Sequence, residues 1–403
     1  MHLNIHKYFR YILIFLSLFL SLIIPRSKNI IVFGSRDGKR FADNSRYLFV
    51  YLNKFTNKKI IWLTKSNKIK NDLLINNYKC YFSSSFFGLY YGFRAKYHIF
   101  DYSENDTSEL TSIKAIKVNL GHGTYIKKVS KYKIDNMISK IYNFLINNKD
   151  NFHTYPNKIY AHHILDYFPK KKYNLVLSNH PRNVVFYGKN NSNDYFFTHK
   201  EKKLIRKIKT IKGKVIGYFP THRKKGYDLF YDVNSVDKLN DLNNLLKKNN
   251  SYIITKHHSN IFKEDNFTLL HKKNNLLDIA LKDLSNFINL DYDMDLNSIL
   301  NNCDLLVSDY SGAIADYLIS NKPIILYTPD YNDYSFDPGL NFNYKTYVFG
   351  HMATNYETLM RYLSIYLLNP FEFSKRYSQK RIRIKKILFK DDDCFNEIIK
   401  KIN

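Results

Sequence analysis

The chain has 403 residues, 44% of them hydrophobic, with 63 Lys and Arg against 35 Asp and Glu, a formal net charge of +28. That length and apolar content support two packed domains, and three scattered cysteines (Cys80, Cys303, Cys394) exclude a disulfide framework or a zinc module and fit a reducing compartment. The charge calls for an anionic partner, or reflects a composition rich in Lys, Asn, Ile, Tyr and Phe; the lysines are spread along the chain and no nucleic-acid-binding motif is present, so no nucleic acid partner is expected.

Tyr11 to Ile24 is an apolar run of 14 residues, with Lys7 and Arg10 before it and Arg26 and Lys28 after it. A spanning helix needs about 20 residues, so an interfacial or shallowly inserted anchor is preferred to a true span. A signal peptide would need a small-residue cleavage site, and the run ends in Ile24-Pro25-Arg26.

Asn29 to Gly34 reads as the first strand and leads into the loop Ser35-Arg-Asp-Gly38. Asp43 or Asn44 is placed to cap the helix that follows. Further strands are expected at Lys59–Leu63, Tyr78–Phe82, Tyr97–Asp101 and Ile116–Leu120, the last ending in Gly121-His-Gly-Thr124. Strands alternating with helical segments imply an α/β domain with a parallel sheet, in which ligands sit beyond the carboxyl ends of strands. His122 lies there, between two glycines. It reads either as a general base near neutral pH or as a turn histidine bonded to nearby backbone.

Ser130 to Lys171 is hard to read; a basic cluster at Lys127–Lys133 precedes an aromatic-rich helix expected over 136–145. Tyr173 to Leu177 is a short strand leading into Ser178-Asn-His-Pro-Arg-Asn183, and Lys200 to Ile208 a basic helix.

The second domain begins near Gly213. Its strands are expected at Lys214–Tyr218, running into Phe219-Pro-Thr-His-Arg223, at Ser251–Thr255, running into Lys256-His-His258, and at Phe287–Leu290. Asp304 to Ser308, a turn at Tyr310 to Gly312, a helix over Ala313–Ile319 and a strand at Ile324–Tyr327 form a parallel strand–helix–strand unit. Thr221, Arg223, His258, Ser308 and Ser311 all follow strand ends, so a parallel sheet brings them to one edge. Arginine, histidine, serine hydroxyls and a helix start describe a phosphate or diphosphate pocket, with Gly312 letting an anion approach the backbone. A serine-capped helix without ligand is the plainer alternative. Asp330 and the Asp337-Pro-Gly339 loop offer carboxylates for polyol hydroxyls, or simply make turns. Tyr356–Leu367 and the basic Phe371–Phe389 are helices.

Taken in order, Gly121-His-Gly-Thr-Tyr-Ile-Lys-Lys128, Pro181-Arg-Asn183, Tyr218-Phe-Pro-Thr-His-Arg223, Lys256-His-His258, Ser308-Asp-Tyr-Ser-Gly312 and Pro323-Ile-Ile-Leu-Tyr-Thr-Pro-Asp330 resemble the motifs of the CDP-glycerol glycerophosphotransferase family, the teichoic acid primases and polymerases. Ile31-Val-Phe-Gly-Ser and Asp43-Asn-Ser-Arg-Tyr-Leu48 are similar to the family's opening, so the resemblance covers roughly residues 28 to 365. The chain departs from the pattern at Gly121 (tryptophan in the family), Val184 (aspartate), Gly312 (serine) and Phe349-Gly-His351 (Pro-Gly-Pro).

The resemblance implies an α/β, GT-B-like pair of Rossmann-type domains with a cleft between them, preceded by an N-terminal hydrophobic segment. The expected divisions are residues 1–27 for that segment, 28–210 for an acceptor-side domain, 211–370 for a CDP-donor domain and 371–403 for a C-terminal basic helix. The implied reaction passes a polyol phosphate from a CDP-activated donor to a hydroxyl of a lipid-linked saccharide or polyol-phosphate acceptor and releases CMP. The alternative is a GT-B glycosyltransferase using a nucleotide sugar. His122 and His258 are the expected catalytic residues, the first as base, the second with Arg223 stabilising the diphosphate without metal or cofactor. Gly123, Thr124, Arg182, Thr221, Arg223, Ser308, Asp309, Ser311, Gly312 and Asp330 are the expected substrate contacts, with Asp309 orienting its turn rather than touching phosphate. Because CDP donors are cytosolic, the domains are expected to face the cytoplasm of a bacterial cell, on the anionic inner leaflet.

Overall fold

The computed structural model describes residues 2–403 except 124, 125, 127, 129–149, 159, 163–173, 188–193, 222–235, 257–283, 292, 342–348 and 391–392; all statements below concern the described residues. The chain divides into two compact units. Unit 1 comprises residues 1–122, 130–196 and 389–403, and unit 2 comprises 123–129 and 197–388.

Unit 1 is built on seven strands: β1 (Ser27–Phe33), β2 (Lys59–Thr64), β3 (Cys80–Phe82), β4 (Ala95–Phe100), β5 (Ile116–Asn119), β6 (Phe152–Tyr155) and β7 (Asn174–Leu177). They form one sheet in the order β3-β2-β1-β4-β5-β6-β7, with all neighbours parallel. Ile30 to Phe33 and Ile60 to Leu63 are unbroken buried apolar runs, as a parallel sheet covered on both faces requires. Four helices alternate with the early strands: α1 (His2–Ile23), α2 (Asp43–Phe55), α3 (Asn67–Ile75) and α4 (Phe86–Arg94). Ser66 and Ser85 cap α3 and α4 through hydrogen bonds from Ile69 N and Gly88 N. Trp62 anchors the core, edge-on to Phe41 and Phe49 at centroid distances of 4.8 and 5.3 Å.

The exit of α1 is pinned. Arg26 donates to the carbonyls of Gly92 (3.2 Å), Ala95 (2.6 Å), Thr111 (3.0 Å) and Ile113, and Arg94 donates to the Pro25 carbonyl at 2.9 Å. Among the described residues, no helix is long and apolar enough to cross a membrane.

Unit 2 repeats the topology with β8 (Val215–Tyr218), β9 (Tyr252–Thr255), β10 (Phe287–Asn289), β11 (Leu305–Ser308), β12 (Ile324–Tyr327) and β13 (His351–Ala353). The order is β10-β9-β8-β11-β12-β13, again all parallel. Renumbered within the unit this is 3-2-1-4-5-6, the doubly wound order, and the first six strands of unit 1 follow it too. The helices are α5 (His199–Lys209), α6 (Val236–Lys248), α7 (Leu296–Leu300), α8 (Ala313–Tyr317), α9 (Tyr331–Tyr334), α10 (Tyr356–Leu368) and α11 (Pro370–Leu388). A capping box between Thr198 and Glu201 starts α5. Leu239, Leu242 and Leu246 of α6 pack with Ile216, Ile253, Leu359 and Leu363 in the core.

Three local readings change. The helix expected over 313–319 is shorter: α8 stops at Tyr317, and a 3-10 turn, Leu318–Ser320, ends on Asn321 in the left-handed region. Neither Asp43 nor Asn44 is the cap of α2: the N-cap is Ala42, and no side chain caps the helix. Asp43 is instead buried, at a backbone φ of 63°. Beyond α11, a separate helix, Asn396–Ile402, belongs to unit 1, where Phe395 stacks on Tyr51 at 4.2 Å.

Candidate active site

In a doubly wound sheet the crevice for a ligand opens where strand order reverses, beyond the carboxyl ends of the strands. In unit 1 that point lies between β1 and β4, with β5 beside them. Gly121 and His122 follow β5, Ser35 to Gly38 follow β1, Asp101 follows β4, and Arg182 follows β7.

Gly121 has a φ of 66°, and a Cβ there would sit 2.8 Å from the Tyr160 hydroxyl oxygen, so only glycine fits without strain. This turn presents the half-buried His122, whose ring lies 5.2 Å from that of Tyr102. Three consecutive carbonyls of the turn are gripped. Asn44 Nδ2 donates to Leu120 O (3.2 Å) and Gly121 O (2.7 Å), and Arg182 Nη1 donates to His122 O (3.0 Å). Arg182 Nη1 also donates to Asp43 Oδ1 at 2.5 Å, and Arg36 Nη2 donates to Asp43 Oδ2 at 2.9 Å. The Arg182 main-chain N–H is taken by Asn44 Oδ1 at 3.2 Å. Arg182, expected as a substrate contact, is thus a buried member of an ion-pair network that holds the histidine turn.

The electrostatics follow from the packing. Burial pushes the His122 imidazole down to about 3, helped by the Arg36 and Arg182 guanidinia and opposed by the Asp43 carboxylate. Burial by itself would raise Asp43, but Arg182 and then Arg36 outweigh it and hold the carboxyl well below the usual carboxylate range. His122 is therefore neutral at pH 7.

In unit 2 the reversal lies between β8 and β11. Asp309 Oδ1 accepts from Thr221 N (2.8 Å), Thr221 Oγ1 (2.7 Å) and Tyr310 N (2.6 Å). Ser308 Oγ donates inward to Phe219 O at 2.6 Å, and the Ser311 hydroxyl accepts from Ala313 N at 3.3 Å. Tyr310 stacks on Tyr334 at 4.0 Å and donates its hydroxyl to Asp330 Oδ1 at 3.2 Å. Thr221, Ser308, Asp309 and Asp330 are thereby joined in one buried hydrogen-bonded turn, and Ser311 and Gly312 follow it directly. Gly123 is buried, with a φ of 120°. Thr124, Arg223, His258 and the helix expected over 136–145 lie outside the described residues.

Sequence reasoning missed Asp43, Asn44, Arg36 and Tyr102 as neighbours of His122. The available signal was position: Arg36 and the Asp43-Asn44 pair stand just beyond the first strand, where the crevice of such a sheet opens.

Fold and site together define a two-unit, doubly wound α/β protein with polar side chains gathered at the strand-order reversal of each sheet. Residues 16–397 match the CDP-Glycerol:Poly(glycerophosphate) glycerophosphotransferase family, and the chain belongs to that family of transferases. It is 29% identical over 328 residues to the teichoic acid poly(glycerol phosphate) polymerase of Bacillus spizizenii, a stretch covering 77% of each chain. It is also 29% identical over 195 residues to the teichoic acid ribitol-phosphate polymerase TarL of Staphylococcus aureus, and there the match spans 48% of this chain but only 32% of the relative. Among solved structures, the wall teichoic acid polymerase TagF superposes with a TM-score of 0.68 at 19% identity, over 93% of this chain and 88% of that one, a likeness of fold.

Proposed function

We propose that the chain transfers glycerol phosphate from CDP-glycerol to a hydroxyl of a lipid-linked acceptor in teichoic acid synthesis. Membership of the family supports the activity and sets aside the nucleotide-sugar alternative. The observation that carries the mechanism is a neutral His122 on a turn clamped by its own carbonyls. In the reaction the acceptor hydroxyl oxygen attacks the phosphorus that carries glycerol. Its proton passes to the His122 imidazole, the bond from that phosphorus to the bridging oxygen breaks, and CMP leaves with the electron pair. An anionic substrate near Arg36 and Arg182 offsets their charges and raises the basicity of His122 as the complex forms. On the donor side, the turn built on Thr221 and Asp309 and the main chain at Ser311 and Gly312 receive the diphosphate. His258 and Arg223 are assigned to its stabilisation on the sequence motifs. The GT-B class expected from the sequence is part of the same reading.

The test is CMP release from CDP-glycerol with a polyol-phosphate acceptor. His122→Ala is expected to lower turnover at least about 100-fold while leaving donor affinity, read by calorimetry, within twofold. Full activity in His122→Ala would overturn the assignment.

Membrane association belongs to the same proposal. Along α1 the polarity is inverted for a helix in water: Ser17 and Ser21 are buried, while Phe15, Phe19, Leu22 and Ile23 are 71, 56, 69 and 60% exposed. Lys28 and the net charge of +28 favour an anionic leaflet on the cytoplasmic side, where CDP donors are found. Removing residues 1–26 is expected to free the protein from vesicles containing phosphatidylglycerol in a flotation assay; flotation of the shortened protein would move the attachment to its basic surface.

A further inference from the structure

The buried carboxylate of Asp43 has no part in the reaction as derived, yet its geometry is closely constrained. It sits in the left-handed region, with a φ of 63°, at the first residue of α2, and it does not cap that helix. Asp and Asn are the ordinary residues that tolerate this conformation, so the position is demanding but not closed to exchange between them. Each carboxylate oxygen takes a guanidinium nitrogen, Oδ1 from Arg182 and Oδ2 from Arg36. The Arg182 nitrogen that meets Asp43 also meets the His122 carbonyl. Asn44, the next residue, holds the two preceding carbonyls of the same turn and the Arg182 main-chain N–H.

We propose that Asp43 is the positioning residue of the base: through Arg182, and with Asn44 beside it, it fixes the backbone of the turn that carries His122. The inference rests on the reading of His122 as base. Two independent features support it. A buried ion pair of this kind costs desolvation and is weak evidence for stability, so a role in holding geometry accounts for it better than a stabilising one. Asp43 also favours the protonated form of His122, against Arg36, Arg182 and His153. It therefore moderates the two guanidinia as well as placing one of them.

The experiment is a double-mutant cycle on turnover with saturating CDP-glycerol and a polyol-phosphate acceptor, using the full chain, Asp43→Asn, His122→Ala and the double variant. Asp43→Asn keeps shape and backbone preference and removes the charge. Loss of positioning is expected to lower kcat about 100-fold, with CDP-glycerol affinity unchanged. In the His122→Ala background the same substitution is expected to cost less than twofold, because there is no base left to misplace. A merely structural aspartate would lower the rate by the same factor in both backgrounds. That additivity, or full activity in Asp43→Asn, would overturn the proposal. Full activity in His122→Ala would instead remove the base itself, so the two failures are told apart. Should Asp43→Asn fail to fold, Arg182→Met keeps much of the side chain but removes the nitrogen that meets both Asp43 and the His122 carbonyl, and the same cycle is run with it.

Discussion

Unit 1 and unit 2 share strand order and place polar side chains at the same topological point, yet each uses its aspartate differently. In unit 1 Asp43 is matched by two guanidinia, and the network holds a histidine turn by its carbonyls. In unit 2 Asp309 is matched by three neutral donors from Thr221 and Tyr310, and it ties the end of β8 to the turn after β11. The first arrangement fixes and electrically tunes an imidazole. The second ties two strand ends together and fixes the turn that precedes α8. A shared strand order thus sets where polar side chains gather, and the partners of one carboxylate set what it holds in place.

The sharpest way to break this comparison is at Asp309. Asp309→Ala strands three buried donors, two on main chain and one hydroxyl. Each lost partner costs about 1–3 kcal/mol, so a loss of roughly 3 kcal/mol or more is expected in the unfolding of unit 2, together with loss of CDP-glycerol binding. Asp309→Asn retains an acceptor oxygen in the same place and is expected to recover most of both, as read by denaturant titration and calorimetry. If asparagine proved as damaging as alanine, charge rather than acceptance would be at work, and the two units would be using their aspartates alike.

How far the sequence reached follows the same division. Strands such as Ile30–Phe33, Ile60–Leu63 and Leu305–Val307 are legible because doubly covered parallel strands are continuous apolar runs. β6 is not legible: His153 and Thr154 are buried within it, and their polar side chains break the apolar signal. His122 and the Thr221 and Ser308 segments are legible as strand ends. Asp43 is misread, because an aspartate at a helix start ordinarily caps, and its true partner Arg182 lies 139 residues away in the chain. Gly121, where the family pattern has tryptophan, also becomes intelligible only in three dimensions, since the space beside its Cα is filled by the Tyr160 hydroxyl.

The smallest expected effect separates the units by pH. Burial holds the imidazoles of His98, His122 and His180 in unit 1 at about 3, against an ordinary value of 6.5. The unfolded chain binds those protons below about 6.5 and the folded unit does not, so the stability they contribute is present above 6.5 and is lost as pH falls toward 3. Asp101 and Asp106 run the other way: burial raises both, Asp106 to about 6, so the folded unit keeps their protons and they blunt the loss. Unit 2 has a lowered histidine in His351, also through burial. Between pH 6.5 and 5, amide-exchange protection in β1, β4 and β5 is therefore expected to fall faster than in β8, β11 and β12, by a net difference on the order of 1 kcal/mol. Equal slopes would mean that the histidines of unit 1 admit protons without unfolding. His98 separates stability from chemistry, because it bonds Thr107 and the Gly92 carbonyl and has no place in the reaction. Replacing it with glutamine should flatten the unit 1 slope by about one proton and leave the pH dependence of turnover where it was.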